Sequence, residues 1–212
     1  MQQPYEAPPA PPKSSGSLAL KLCGGCCLAF MIFCCIGAIA TYGWMRSLLS
    51  VEPATVTAVF TNSAGAPPPA DYTKHVSFDL SSTGFTTAIV SAPDPNKLLL
   101  GVATFPPGQP LQQRQELGWA MIGGFSQTLV ESGFRPPATD LENLIDNERD
   151  AVELTLRGET VEALRVKSTS RNGGVKTQRI LIDIGPERML IAAGTEEDFD
   201  MAALQAYLDT IK

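Results

Sequence analysis

Residues 47–212 contain no cysteine; all five cysteines of the chain fall between Cys23 and Cys35. That absence excludes disulfides, thiolate nucleophiles and cysteine-ligated zinc from most of the chain, and a domain of this size folds without disulfides on either side of a membrane. Histidine is nearly missing too. His75 is the only one, so any Ser–His–Asp set has to use it, and no GxSxG elbow accompanies it. Basic charge is thin: residues 47–212 hold 21 acidic against 13 basic residues, the wrong balance for a nucleic-acid partner. Gly-rich phosphate loops and dinucleotide fingerprints are also absent. The sequence therefore calls for no cofactor.

Charge itself is missing from one stretch. Cys23 to Trp44, CGGCCLAFMIFCCIGAIATYGW, runs 22 residues without an ionisable acid or base other than its thiols and Tyr42. As a helix it covers about 33 Å, enough to cross a hydrocarbon core of about 30 Å, so it reads as a transmembrane helix in contact with membrane lipid. Ahead of it, residues 1–20 include the proline-rich MQQPYEAPPAPPKSSGS, which lacks the apolar bulk to fold and reads as a disordered tail. Its PPAPPK, Pro8 to Lys13, matches an SH3-ligand pattern or is a solvated spacer. Lys13, Lys21 and the α-amine lie on one side of the span and Arg46 close on the other, which favours a cytoplasmic tail and an extracytoplasmic domain; no Lys/Arg run flanks the span as a polybasic lipid-binding segment. The alternative is a secreted protein: Ala38-Ile39-Ala40 is an A-x-A site, with cleavage after Ala40.

The cysteines of the span have a bland reading and a packing one. Cys23-Gly24-Gly25-Cys26 is formally a CxxC, but nothing near it supplies the cationic surroundings of a reactive thiolate. Cys27, Cys34, Ala38 and Thr41 recur on one helical face, where small side chains let two helices approach and form a weak homodimer. Cys23, Cys26 and Cys27 are also candidates for S-palmitoylation.

Beyond the span, 45–72 reads as a membrane-proximal helix and linker, with Pro53 at a first helical position. Residues 73–212 read as an α+β domain: an antiparallel sheet of about seven strands in the order βββ-α-ββββ-α, with helices packed on one side. The first three strands are Lys74–Leu80, Phe85–Ser91 and Leu98–Phe105, and 111–132 is amphipathic with Leu117, Met121, Phe125 and Leu129 at i+4 steps before Gly133. A short helix is expected over 140–150, then strands over 150–157, 161–171, 175–184 and 188–193. Placing Val152, Leu154, Leu156, Leu164, Val166, Ile180, Ile182 and Ile184 on one buried face requires three-residue loops at Gly158-Glu159-Thr160 and Asn172-Gly173-Gly174, with Gly174 in the left-handed position. That register sets Glu153 opposite Arg165 and Lys167 opposite Arg179. A last helix runs from an Asp198 N-cap to Ile211 with Met201, Leu204, Leu208 and Ile211 buried.

Within residues 174–212, the sequence GPERMLIAAGTEEDFDMAALQAYLDTIK sets a strand before an acidic stretch, a phenylalanine and a helix. This resembles the end of small extracytoplasmic domains of the PsbP, Mog1 and DcrB-like group, and the resemblance implies an accessory or binding module rather than an activity. Three candidate chemistries remain. Arg165, Lys167, Arg171 and Arg179 form an outward basic stripe for an anionic partner, or an ordinary charged face. Asp140, Glu142, Asp146, Glu148 and Asp150 lack the order of a calcium loop. His75 shares its strand face with Ser77 and Asp79, the minimum for an enzyme. The leading expectation is a non-enzymatic module that binds a protein or small molecule outside the cytoplasm; the alternatives are a structural subunit assembling through the cysteine-rich helix, and a His75-dependent enzyme.

Overall fold

The sheet begins earlier in the chain than the sequence suggests. A computed structural model describes residues 48–124, 144–171 and 174–212, with 121–124 described by backbone alone. In it a two-residue strand, β1 (Leu49–Ser50), sets Leu49 opposite Phe78 of β2 (Thr73–Leu80), where the sequence reads a membrane-proximal helix and linker. The span at 23–44, its face of Cys27, Cys34, Ala38 and Thr41, and the tail lie outside the described residues. Among the described residues no helix is long and apolar enough to cross a membrane. All of them belong to the unit Ser47–Lys212.

Between these strands comes α1 (Pro53–Ala64), started by Pro53 and stopped by Gly65, whose φ of 82° is left-handed and whose N–H bonds the Thr61 carbonyl at 2.8 Å. Then follow β3 (Phe85–Ser91), β4 (Leu99–Thr104), α2 (Leu111–Gly124), β5 (Leu144–Leu156), β6 (Glu159–Ser170), β7 (Lys176–Gly185), β8 (Arg188–Thr195) and α3 (Met201–Leu208). The α+β class holds, with an antiparallel sheet of eight strands ordered β1-β2-β3-β4-β8-β7-β6-β5 among the described residues. Two meanders thus meet at β4 and β8.

Helices cover both faces of this sheet, not one. Val56 and Phe60 of α1 and Leu204 and Leu208 of α3 pack with Leu100, Ile180, Ile182 and Leu190 on the first face. Leu117 and Trp119 of α2 pack with Phe105, Met189 and Ile191 on the second. The central strands β4, β7 and β8 are buried on both sides, so each reads as a nearly continuous apolar run rather than an alternation. Phe60 and Tyr207, with ring centroids 5.8 Å apart, tie α1 to α3.

The same double covering inverts β6. The hairpin from β5 closes through two residues, Arg157 (φ 56°) and Gly158 (φ 80°), with Leu156 opposite Glu159; this is the primed turn that suits strand twist. Val161 and Ala163 therefore join Leu154 on the first face, while Leu164 and Val166 turn to the second. Glu153 lies opposite Glu162 and Lys167 opposite Gln178, correcting both predicted charge pairs. The next turn is also even-membered, since Ser170 N–H bonds Val175 O; Gly174 does take the left-handed position, at φ 65°. Two further corrections concern helices. Residues 144–150 extend β5 instead of forming a helix, and α3 is capped by Asp200, which accepts from Ala203 N–H at 2.8 Å, while Asp198 accepts from Thr195 Oγ1. The second half of the predicted 111–132 helix, with Phe125, Leu129 and Gly133, lies outside the described residues, as do Asp140 and Glu142.

Candidate functional site

The predicted basic stripe is divided between the two faces. Arg165 sits opposite Ile180 and so shares the first face with Lys167, whereas Arg179 sits opposite Val166 on the second; Arg171 is exposed at the turn after β6. The carboxylates of β5 follow the same division because a bulge between Asp146 and Glu148 reverses the strand's parity. Glu148 and Asp150 meet the first-face cations: Lys167 Nζ is 3.0 Å from Glu148 and 3.5 Å from Glu196, and Arg165 Nε donates to Asp150 at 3.0 Å. Asp146 meets Arg179.

That second cluster is a lock. Arg179 is 7% exposed, its guanidinium 4.2 Å from the Trp119 ring centroid, and its Nη2 donates to both Asp146 oxygens at 2.8 and 2.9 Å. Arg149 and Ser168 also donate to Asp146, each at 2.8 Å. Burial raises the Asp146 carboxyl, but the hydrogen bonds of Arg149 and Ser168 and the charge of Arg179 outweigh it and hold the group below the usual carboxylate range. A cleft of about 410 Å³ opens beside this lock, between α2 and β5–β7, yet its principal charges already satisfy one another.

His75 is also committed. Its Nε2 lies 2.8 Å from Ser91 Oγ, and the two side chains are 6% and 2% exposed. Burial pushes the imidazole down to about 4, so it is neutral near pH 7. Ser77 is buried opposite Ala88, and Asp79 is exposed and accepts from Ser81 N–H at 2.9 Å. His75, Ser77 and Asp79 therefore form no relay, and the His75–Ser91 pair is closed to a substrate in this conformation. Among the described residues no three His, Cys, Asp or Glu side chains converge to hold a metal.

A different arrangement lies under α1, at the end of the central strands. Here a cleft of about 530 Å³ is lined by Asn62 and Ser63 of α1, Asp79 at the end of β2, Thr86 and Thr104, and the β7–β8 turn with Glu187 and Arg188. Its walls depend on a close approach. The short turn Ser81–Thr83 ends at Gly84 with φ 85°, and a Cβ there would stand 3.1 Å from Pro106 Cα. The β7–β8 turn is fastened to β4 by Phe105 N–H, which donates to Glu187 O at 2.8 Å.

Inside the cleft the hydroxyls form a directional chain. Ser63 Oγ is 2.9 Å from Thr86 Oγ1, which is 2.6 Å from Thr104 Oγ1. Thr104 donates to Gly84 O at 3.3 Å and accepts from Thr86 N–H at 3.0 Å. With Thr104's one proton directed to Gly84, Thr86 donates to Thr104 and Ser63 to Thr86, leaving one acceptor lone pair on Thr86. Arg188 runs between two glycines, its guanidinium 3.3 Å from the position a Cβ of Gly185 would occupy and 3.6 Å from that of Gly65. Among the described residues it makes no ion pair, and neither do Asp79 and Glu187. Sequence reasoning missed this cleft because separate stretches of the chain from Val59 to Arg188 build it; Thr86 opposite Thr104 is legible only once β3 and β4 are in register.

No protein-family model matches the chain, and no curated protein matches it.

Proposed function

We propose that the chain is a single-pass membrane protein whose extracytoplasmic domain is a non-enzymatic binding module, and that it takes its ligand or partner in the cleft under α1. The uncharged run Cys23–Trp44 supports the anchor and its flanking charges support the orientation. One observation carries the choice of site. Arg165, Lys167 and Arg179 of the predicted stripe and the buried Arg114, which is 2.8 Å from Asp183, are matched by carboxylates, while Arg188, Asp79 and Glu187 line one cleft without neutralising one another. Charge of both signs gathered in one cleft without pairing internally favours recognition. The strand, acidic stretch, Phe199 and helix that resemble the PsbP, Mog1 and DcrB-like group accord with a binding role.

Purification of the full-length protein from its native membranes, in parallel with Arg188→Gln, tests this reading. A molecule carried by the unaltered protein and lost from the variant is the expected result. Equal retention by both, or no bound molecule with either, overturns the assignment of the cleft.

A further inference from the structure

We infer that the cleft under α1 accommodates a small zwitterion: a free amino acid or a short peptide with its ammonium and carboxylate ends both free. This rests on the cleft being the binding site, and it follows from which charges stand there. Arg188 offers a planar fork of donors that suits a carboxylate and, among the described residues, has no protein carboxylate within 4.0 Å. Asp79 has one oxygen engaged with Ser81 N–H and the other without a partner among the described residues, and Glu187 is exposed at the rim. An anion alone would gain Arg188 and be repelled by two carboxylates; a cation alone would meet the reverse. A ligand with both signs satisfies both sets. The hydroxyl chain points the same way, since its protons run inward to Gly84 O and the lone pair left on Thr86 accepts from an ammonium N–H. Val59, Phe105, Pro107 and Pro186 supply apolar wall for the side chain, and about 530 Å³ is room for one to a few residues.

The test uses the full-length protein in nanodiscs and calorimetric titration with alanine, dialanine and trialanine, which step the distance between the two charges. Each is compared with its N-acetylated form, which lacks the ammonium, and its C-terminal amide, which lacks the carboxylate. The expected result is saturable binding by at least one free-ended compound, and about tenfold or greater weakening on blocking either end. Arg188→Gln should weaken the free-ended compound by a similar factor and leave its amide unaffected; Asp79→Asn combined with Glu187→Gln should do the converse with the acetylated form. Equal binding of blocked and free forms overturns the inference. So does no binding by any of the three; if Arg188→Gln nevertheless strips the molecule carried from native membranes, the cleft remains the binding site and only its ligand class is wrong.

Discussion

At the scale of single residues, the fold's least expected side chain is His75. A sequence with one histidine invites a catalytic role, but the β2 bulge between Lys74 and Val76 turns the ring inward onto Ser91, 2.8 Å away. Burial lowers its pKa from 6.5 to about 4, so the folded state binds the proton less readily than the unfolded one. The stability this contributes is fully present above about pH 6.5 and is lost as pH falls from there through about 4. The loss should be on the order of 1–3 kcal/mol. Asp146 and Asp150 are both held below the ordinary carboxylate range, so their own losses fall at lower pH and do not blur the window. Urea unfolding at intervals from pH 7.5 to pH 4.5 should show this slope in the unaltered protein and a flat response in His75→Gln, whatever that variant's absolute stability. A slope that persists in the variant would assign the proton to another group.

At the scale of elements, the seat of α2 on the sheet depends on Gly118. A Cβ there would stand 3.0 Å from Ile191 Cδ1 and 3.4 Å from both Met189 Sδ and Phe105 Cζ. Alanine gains about 1 kcal/mol in helix propensity, and the nearest atom is the free end of an isoleucine. Gly118→Ala should thus lie within about 1 kcal/mol of neutral, whereas Gly118→Leu must lift α2 off the second face and should cost about 1–3 kcal/mol. Urea midpoints of the two variants check this, and a leucine as stable as the parent would mean that α2 does not press on the sheet there. The same second face explains what the sequence left obscure. The class and the strands other than β1 and the first half of β5 were legible from apolar runs and turn residues, and Pro53 and Gly133 were read from the same chemistry, of which only Pro53 falls within the described residues. The parity of β6 was not, because Val161, Ala163, Leu164 and Val166 offer an apolar set to either side. With both faces buried, alternation no longer fixes register, and one residue in the Arg157–Gly158 turn decides it. Arg179 shows what the second covering does: it keeps the face opposite Ile180 that the sequence gives it, but α2 covers that face and it lies buried beneath Trp119.

At the scale of the whole molecule, the proposed anchor and the secreted alternative differ in what one charge does. A transmembrane helix has to transfer every side chain of Cys23–Trp44 into hydrocarbon, and arginine at its middle costs about 2.5–3.5 kcal/mol on the insertion scale. Phe33 lies at that midpoint. If the run is a retained anchor, the full-length protein should stay in the membrane pellet after alkaline carbonate with its N-terminus intact, and Phe33→Arg should move a substantial fraction into the supernatant. If it is a leader cut after Ala40, intact mass spectrometry should find a chain beginning at Thr41, free of the pellet, and Phe33→Arg should reduce the amount exported without changing where the mature chain resides. The 22-residue length favours the anchor, because the apolar core of a cleaved leader is usually 7–15 residues. A Thr41 N-terminus would free the domain from the membrane, and the proposed zwitterion site would then act on a released protein rather than an anchored one.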